Sequence, residues 1–145
     1  MAILSKDRIS LRAKAADKAD AIRQAGDLLV KTGCVLPAYV NGMLTREQSM
    51  STSLGNGVAI PHGVYENRED ILKTGISVLQ LVDSVDWEDG DQVVLVIGIA
   101  AQGDEHVGVL ANLAEVIEDE GILNELLQTS DADVVVRHLG ASKES

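Results

Sequence analysis

Residues 93–101 read VVLVIGIAA and run directly into QGDEHVGVLANLAEV, residues 102–116. The first piece is apolar at successive positions, broken only by Gly98, so it suits the middle of a sheet covered on both faces. The second opens at Gly103 and Asp104 and then carries apolar residues at helical spacing. Val107, Leu110, Leu113, Ala114 and Ile117 are expected to face inward, and Gly121 to end the helix. A buried strand feeding a helix is the repeating unit of an α/β fold.

Working outward from this pair, residues 75–82 (GISVLQLV) read as a second strand, joined to the first by an acidic turn over 83–91 that Trp87 anchors. Residues 51–54 and 58–60 read as short strands around the Gly-Asn-Gly turn at 55–57, and residues 9–13 as another strand. Asp17 is placed to cap a helix reaching Lys31, with Ala21, Ile22, Ala25, Leu28 and Leu29 on one face and Gly33 just past its end. Pro37 suits the first turn of a second helix that carries Tyr39, Val40, Met43 and Leu44 on one side and ends near 46–48. A helical turn is expected at 66–71, short helices at 122–128 and 131–139, and a fraying tail from Gly140 onward. The expected architecture is therefore one compact α/β domain over 1–145: a mixed β-sheet of about five strands covered by helices on both sides.

Composition narrows the function. The 145 residues are enough for one domain with its own core. With 12 basic and 23 acidic residues the net charge is −11, which repels phosphate backbones and anionic lipid and favours a basic protein partner. Nucleic acid and direct membrane insertion are accordingly not expected. The single cysteine, Cys34, excludes an internal disulfide and fits a small buried side chain in a reducing compartment. No charged region followed by an apolar one marks a secretory signal, so a cytoplasmic location is expected. The aspartates at 83, 86, 89 and 91 lack the spacing of a calcium loop, and neither zinc spacing nor a dinucleotide fingerprint is present, so no metal or cofactor is expected.

Two histidines stand where strands give way to loops or helices. His62 ends the strand VAIPH, where Pro61 removes a ladder donor, and His106 lies in the first turn of the helix after VVLVIGIAA. Such junctions gather at the carboxyl ends of strands, where α/β sheets bind ligands, and the helix start favours an anion. Taken singly, each has a plainer reading: His62 as a turn residue, His106 as a polar first-turn residue, Arg46 as a solvated cation near a helix end. His138 reads as a surface residue. The residues alone carry the argument as far as an α/β domain with a histidine-based anion site.

The stretches SLGNGVAIPHG (53–63) and LVIGIAAQGDEHVGVLANLAEV (95–116) resemble the enzyme IIA domain of the bacterial phosphoenolpyruvate:sugar phosphotransferase system, in its mannitol/fructose superfamily. IGIAA followed by EH, with Arg46 sixteen residues before His62, is most similar to the mannitol branch. Asn56 stands where mannitol-type members often carry a glutamate. The resemblance implies that His62 is the phosphorylated residue, forming a tele-type phosphohistidine, with His106 and Arg46 completing the catalytic set. It implies HPr as phosphoryl donor, a cysteine of a sugar-specific enzyme IIB as acceptor, and uptake of a sugar or polyol such as mannitol as the outcome. Two other readings remain at this point: a regulatory, nitrogen-type IIA-like protein acting by phosphorylation-dependent binding, and an anion-binding scaffold of the same fold.

Overall fold

A computed structural model describes residues 3–140 apart from Asp89 and Asp104, with Tyr65 described by its backbone. The tail beyond Gly140 lies outside the described residues, so its expected fraying has no counterpart here. The strands are β1 (Ile9–Ala13), β2 (Ser53–Gly55), β3 (Val58–Ala59), β4 (Gly75–Glu88) and β5 (Asp91–Ala100). They form one sheet in the order β1-β4-β5-β3-β2. β5 is thus central, parallel to β3 and antiparallel to β4, while β1 runs parallel to β4 and β2 antiparallel to β3. The expected mixed sheet of five strands is what the chain forms.

The helices are α1 (Lys18–Lys31), α2 (Ala38–Ser49), α3 (Glu105–Glu118), α4 (Glu120–Gln128) and α5 (Ala132–Leu139). Both faces of β5 are used. Leu95, Ile97 and Ile99 pack with Leu113, Leu126 and Leu139 of α3, α4 and α5, whereas Val96 and Ala100 pack with Ala21, Leu29 and Met43 of α1 and α2. Gly98 has a steric role between them. A Cβ there would lie 2.6 Å from Ser77 Oγ and 3.4 Å from Ala25 Cβ, so its absence lets α1 approach the sheet. Asp17 caps α1 as the sequence suggests, accepting the Asp20 N–H at 2.8 Å.

Four local expectations are corrected. Residues 83–91 are not a turn: β4 continues to Glu88 and β5 begins at Asp91, paired Glu88 to Asp91. Val85 and Trp87 are buried while Asp86 and Glu88 are exposed, so the acidic residues form the solvent side of an alternating strand. In α3 the inward stripe is Val109, Leu113 and Ile117, spaced by four, while Val107 is 72% exposed and Ala114 is also exposed. Two residues turn a helix by about 200°, so Val107 and Val109 cannot share a face. Gly121 does not end α3; it lies in the first turn of α4, whose cap Asp119 accepts the Ile122 N–H. The two strands around the Gly-Asn-Gly turn are shorter than expected and stop at Gly55 and Ala59.

Candidate active site

The end of β3 is held along β5 beyond its own ladder. The Ile99 N–H donates to the Pro61 carbonyl at 3.0 Å, and His62 makes an isolated parallel bridge with Ile99. Pro61 offers no N–H, so the chain leaves the sheet here with His62 at the carboxyl end of two parallel strands. His106, in the first turn of α3, comes from the other side of the same end. It lies three and seven residues before Val109 and Leu113, and so shares the face that packs on the sheet. The two imidazole centroids are 5.2 Å apart with their planes at 59°.

The orientation of His62 is set by one bond. Its Nδ1 lies 2.7 Å from the Ile60 carbonyl, an acceptor only, so Nδ1 carries the proton and donates. Nε2 then holds the lone pair. The His62 pKa is lowered below the ordinary histidine range chiefly by burial, which disfavours the cation. The positive fields of His106 and Arg46 push the same way, while the Ile60 carbonyl and Glu47 partly oppose them. A neutral imidazole with a free Nε2 is the nucleophilic form.

Arg46 sits in the last turn of α2, half-buried, with Nη1 donating to the Met50 carbonyl at 2.7 Å. Its charge reaches His62 electrostatically. The structure therefore brings His62 and His106 together at one end of the sheet, with Arg46 near enough for its charge to act on His62. His138 lies apart from this group: its Nε2 pairs with Glu125 of α4 at 2.6 Å, and its side chain stays partly exposed. Cys34 is fully buried, as its small side chain suggested. Asn56 has φ +56°, in the left-handed region that asparagine tolerates better than glutamate, which accounts locally for the residue found there.

Two residues of the site were not anticipated in their roles. Tyr39, expected only as an apolar face residue, donates its hydroxyl proton to the Ile99 carbonyl at 2.8 Å and accepts the Gly63 N–H at 2.9 Å. Burial raises its pKa, which keeps the phenol protonated and able to donate. The bond pins the residue after His62 to β5. Tyr39→Phe is expected to cost about 1–3 kcal/mol, because it strands a buried N–H and carbonyl; denaturant unfolding measures it. The other is Glu47, a carboxylate only 4% exposed beside Arg46. A cavity of about 400 Å³ opens next to the histidines, lined by Tyr39, Gly63, Val64, Arg68, Ala101 and His106 among others. Among the described residues no group of three or more His, Cys, Asp or Glu side chains is placed to hold a metal ion, and no helix is long and apolar enough to cross a membrane.

Comparison with known proteins agrees with this layout. The family model "Phosphoenolpyruvate-dependent sugar phosphotransferase system, EIIA 2" matches residues 2–141. The mannitol-specific phosphotransferase enzyme IIA component of Halalkalibacterium halodurans is 44% identical over 142 residues, covering 98% of this chain and 97% of that protein. A multiphosphoryl transfer protein of Escherichia coli O157:H7 is 46% identical over 132 residues, which are 91% of this chain. This chain spans 16–35% of the length of the multiphosphoryl transfer proteins that it matches. Among solved structures, the complex of enzyme IIA-Mtl with phosphorylated enzyme IIB-Mtl from Escherichia coli superimposes with a TM-score of 0.88 at 41% identity, covering 94% of this chain and 96% of that one. Sheet order, paired histidines and sequence identity lead to one conclusion: the chain belongs to the EIIA 2 family of the phosphoenolpyruvate-dependent sugar phosphotransferase system.

Proposed function

We propose that this domain is a phosphocarrier in which Nε2 of His62 accepts a phosphoryl group from phospho-HPr and hands it to a cysteine of a sugar-specific enzyme IIB. The observation that carries the reading is the Nδ1 bond to the Ile60 carbonyl, which leaves Nε2 as the one available nucleophilic nitrogen of that ring. The family membership and the IIB-bound state of the similar enzyme IIA-Mtl support the direction of transfer. Mannitol is the proposed cargo, supported by the mannitol-specific relative and by the Mtl complex.

In the accepting step Nε2 attacks phosphorus in line, the donor's N–P bond breaks, and the donor nitrogen leaves with its electron pair. The His62 ring gains positive character, which Nδ1–H shares with the Ile60 carbonyl. Transfer of this kind needs alignment and charge stabilisation more than covalent participation. Arg46 supplies a positive charge and a planar fork of donors for the equatorial oxygens. His106 donates to the same group in this reading, which the 5.2 Å separation of the two rings supports. In the donating step the thiolate of enzyme IIB displaces Nε2, and the neutral imidazole returns with Nδ1–H still bonded.

The lowered His62 pKa fixes the pH dependence. Well above about pH 6.5 the ring is neutral in both folded and unfolded chains, so acceptance should be flat with pH. As pH falls through the folded pKa, which lies below that value, the nucleophile is lost and the acceptance rate drops. Between the two values the unfolded chain binds more protons at His62 than the folded one, so this residue makes stability fall as pH falls. Thermal melts of wild type and His62→Gln across about pH 5–7.5 check the sign: the variant should gain relative to wild type as the pH drops. Coupling to enzyme I, HPr, phosphoenolpyruvate and candidate IIB proteins tests the function itself, with phosphoryl arrival on IIB as the expected result.

A further inference from the structure

Glu47 is a buried carboxylate that the phosphoryl-transfer mechanism above does not use. Its Oε2 accepts the Thr52 N–H at 2.9 Å and the Trp87 Nε1–H at 2.9 Å, its Oε1 accepts the Thr52 hydroxyl at 2.5 Å, and Lys18 Nζ lies 3.4 Å away. Four donors, two from nearby Thr52 and two from the distant Lys18 and Trp87, thus converge on one side chain in the last turn of α2. Buried ionic groups of this kind are a weak source of net stability, since apolar replacements of similar volume often do as well. What the network does in this fold is positional.

Both arms of the site hang from the short segment that Glu47 grips. On one side, Arg46 donates to the Met50 carbonyl at 2.7 Å. On the other, the Thr52 carbonyl accepts the Ile60 N–H at 3.0 Å, and the Ile60 carbonyl in turn accepts Nδ1–H of His62 at 2.7 Å. Releasing residues 50–52 would loosen the arginine and the carbonyl that selects the imidazole tautomer together. We propose that Glu47 is a positioning residue for phosphoryl transfer: by clamping Thr52 it holds Arg46 and the Ile60 carbonyl in register with His62. The proposal rests on the reading of His62 as phosphoryl acceptor. It is reinforced by electrostatics, since the Glu47 charge raises the His62 pKa against the lowering by burial, His106 and Arg46.

The test combines rate and spectroscopy on the folded domain. Phosphoryl uptake is followed by intact mass with phosphoramidate, a small donor that needs no protein docking, and the His62 imidazole is titrated by nitrogen-15 NMR. Glu47→Gln keeps an acceptor for Thr52 but loses the charge. It should slow uptake by about 10–100-fold, the scale of a small misplacement of reacting groups. It should also lower the His62 midpoint further and mix the two neutral tautomers, neither of which follows from a merely structural role. Glu47→Asp should restore the midpoint in part. A folded Glu47→Gln that takes up phosphoryl at the wild-type rate, with His62 still in the Nδ1–H form, overturns the proposal. If Glu47→Gln does not fold, Thr52→Val, which removes only the hydroxyl donor and keeps the Glu47 charge, should slow uptake and mix the tautomers in the same direction, and an unchanged rate with an unchanged tautomer there overturns it equally. Failure of the wild-type protein to accept phosphoryl would instead remove the phosphocarrier reading. The tautomer comparison would still decide whether Glu47 positions the ring.

Discussion

His62→Ala is expected to abolish phosphoryl acceptance altogether, while His138→Ala leaves it unchanged. With enzyme I, HPr and phosphoenolpyruvate, wild-type protein should gain the mass of one phosphoryl group, labile in acid and stable in base, as a phosphoramidate bond is. The expectation rests on geometry. Among the described residues His62 has its Nδ1 tied to a backbone carbonyl and a second imidazole 5.2 Å away, at the carboxyl end of parallel strands. His138 is engaged with Glu125 on α4 and has no part in this arrangement. Removal of the His62 ring leaves the sheet intact, since the Pro61 carbonyl still accepts from Ile99 and Tyr39 still holds Gly63. Labelling that persists in His62→Ala at the wild-type level would contradict the assignment.

Arg46→Gln and His106→Ala are expected to slow transfer from phospho-HPr by roughly 10²–10³ each, the usual cost of deleting one donor to developing charge. Neither should abolish cooperative unfolding. Arg46 is half-buried, and its guanidinium donates to the Met50 carbonyl just after its own helix. His106 is a first-turn residue of α3, whose core contacts are made by Val109, Leu113 and Ile117. Single-turnover transfer measured beside denaturant unfolding separates the two effects. A folded variant with wild-type transfer places that residue outside the reaction.

Much of this arrangement was legible in the chain because its causes are local. The unbroken apolar run at 93–101 marks a central strand, since only a strand covered on both faces lacks a polar side. Asp17 announces α1 because a capping carboxylate acts three residues away. Pro61 before His62 and the first-turn position of His106 are likewise local signals. The misreadings have physical reasons too. Acidic residues at 83, 86 and 88 resemble a turn, yet Asp86 and Glu88 alternate with buried Val85 and Trp87, and that period of two is the stronger signal. In α3 apolar residues occur on both sides, so pattern alone did not choose Val109 over Val107. Glu47 gave no signal at all: a glutamate in the last turn of a helix reads as solvated, and its partners Lys18 and Trp87 are brought to it only by tertiary folding. Tyr39 is the same case, since the Ile99 carbonyl it reaches lies on the far side of the sequence. Arg46 entered through family resemblance, because helix periodicity offers no reason to aim it at a histidine.

The central claim is that the phosphoryl group resides on Nε2 of His62. Phosphorus–nitrogen scalar coupling, measured on the nitrogen-15-labelled, phosphorylated domain, addresses it directly. The account predicts phosphorus coupled to Nε2 of His62, with Nδ1 still protonated toward the Ile60 carbonyl. Coupling to Nδ1 of His62, or to a ring nitrogen of His106, would contradict it.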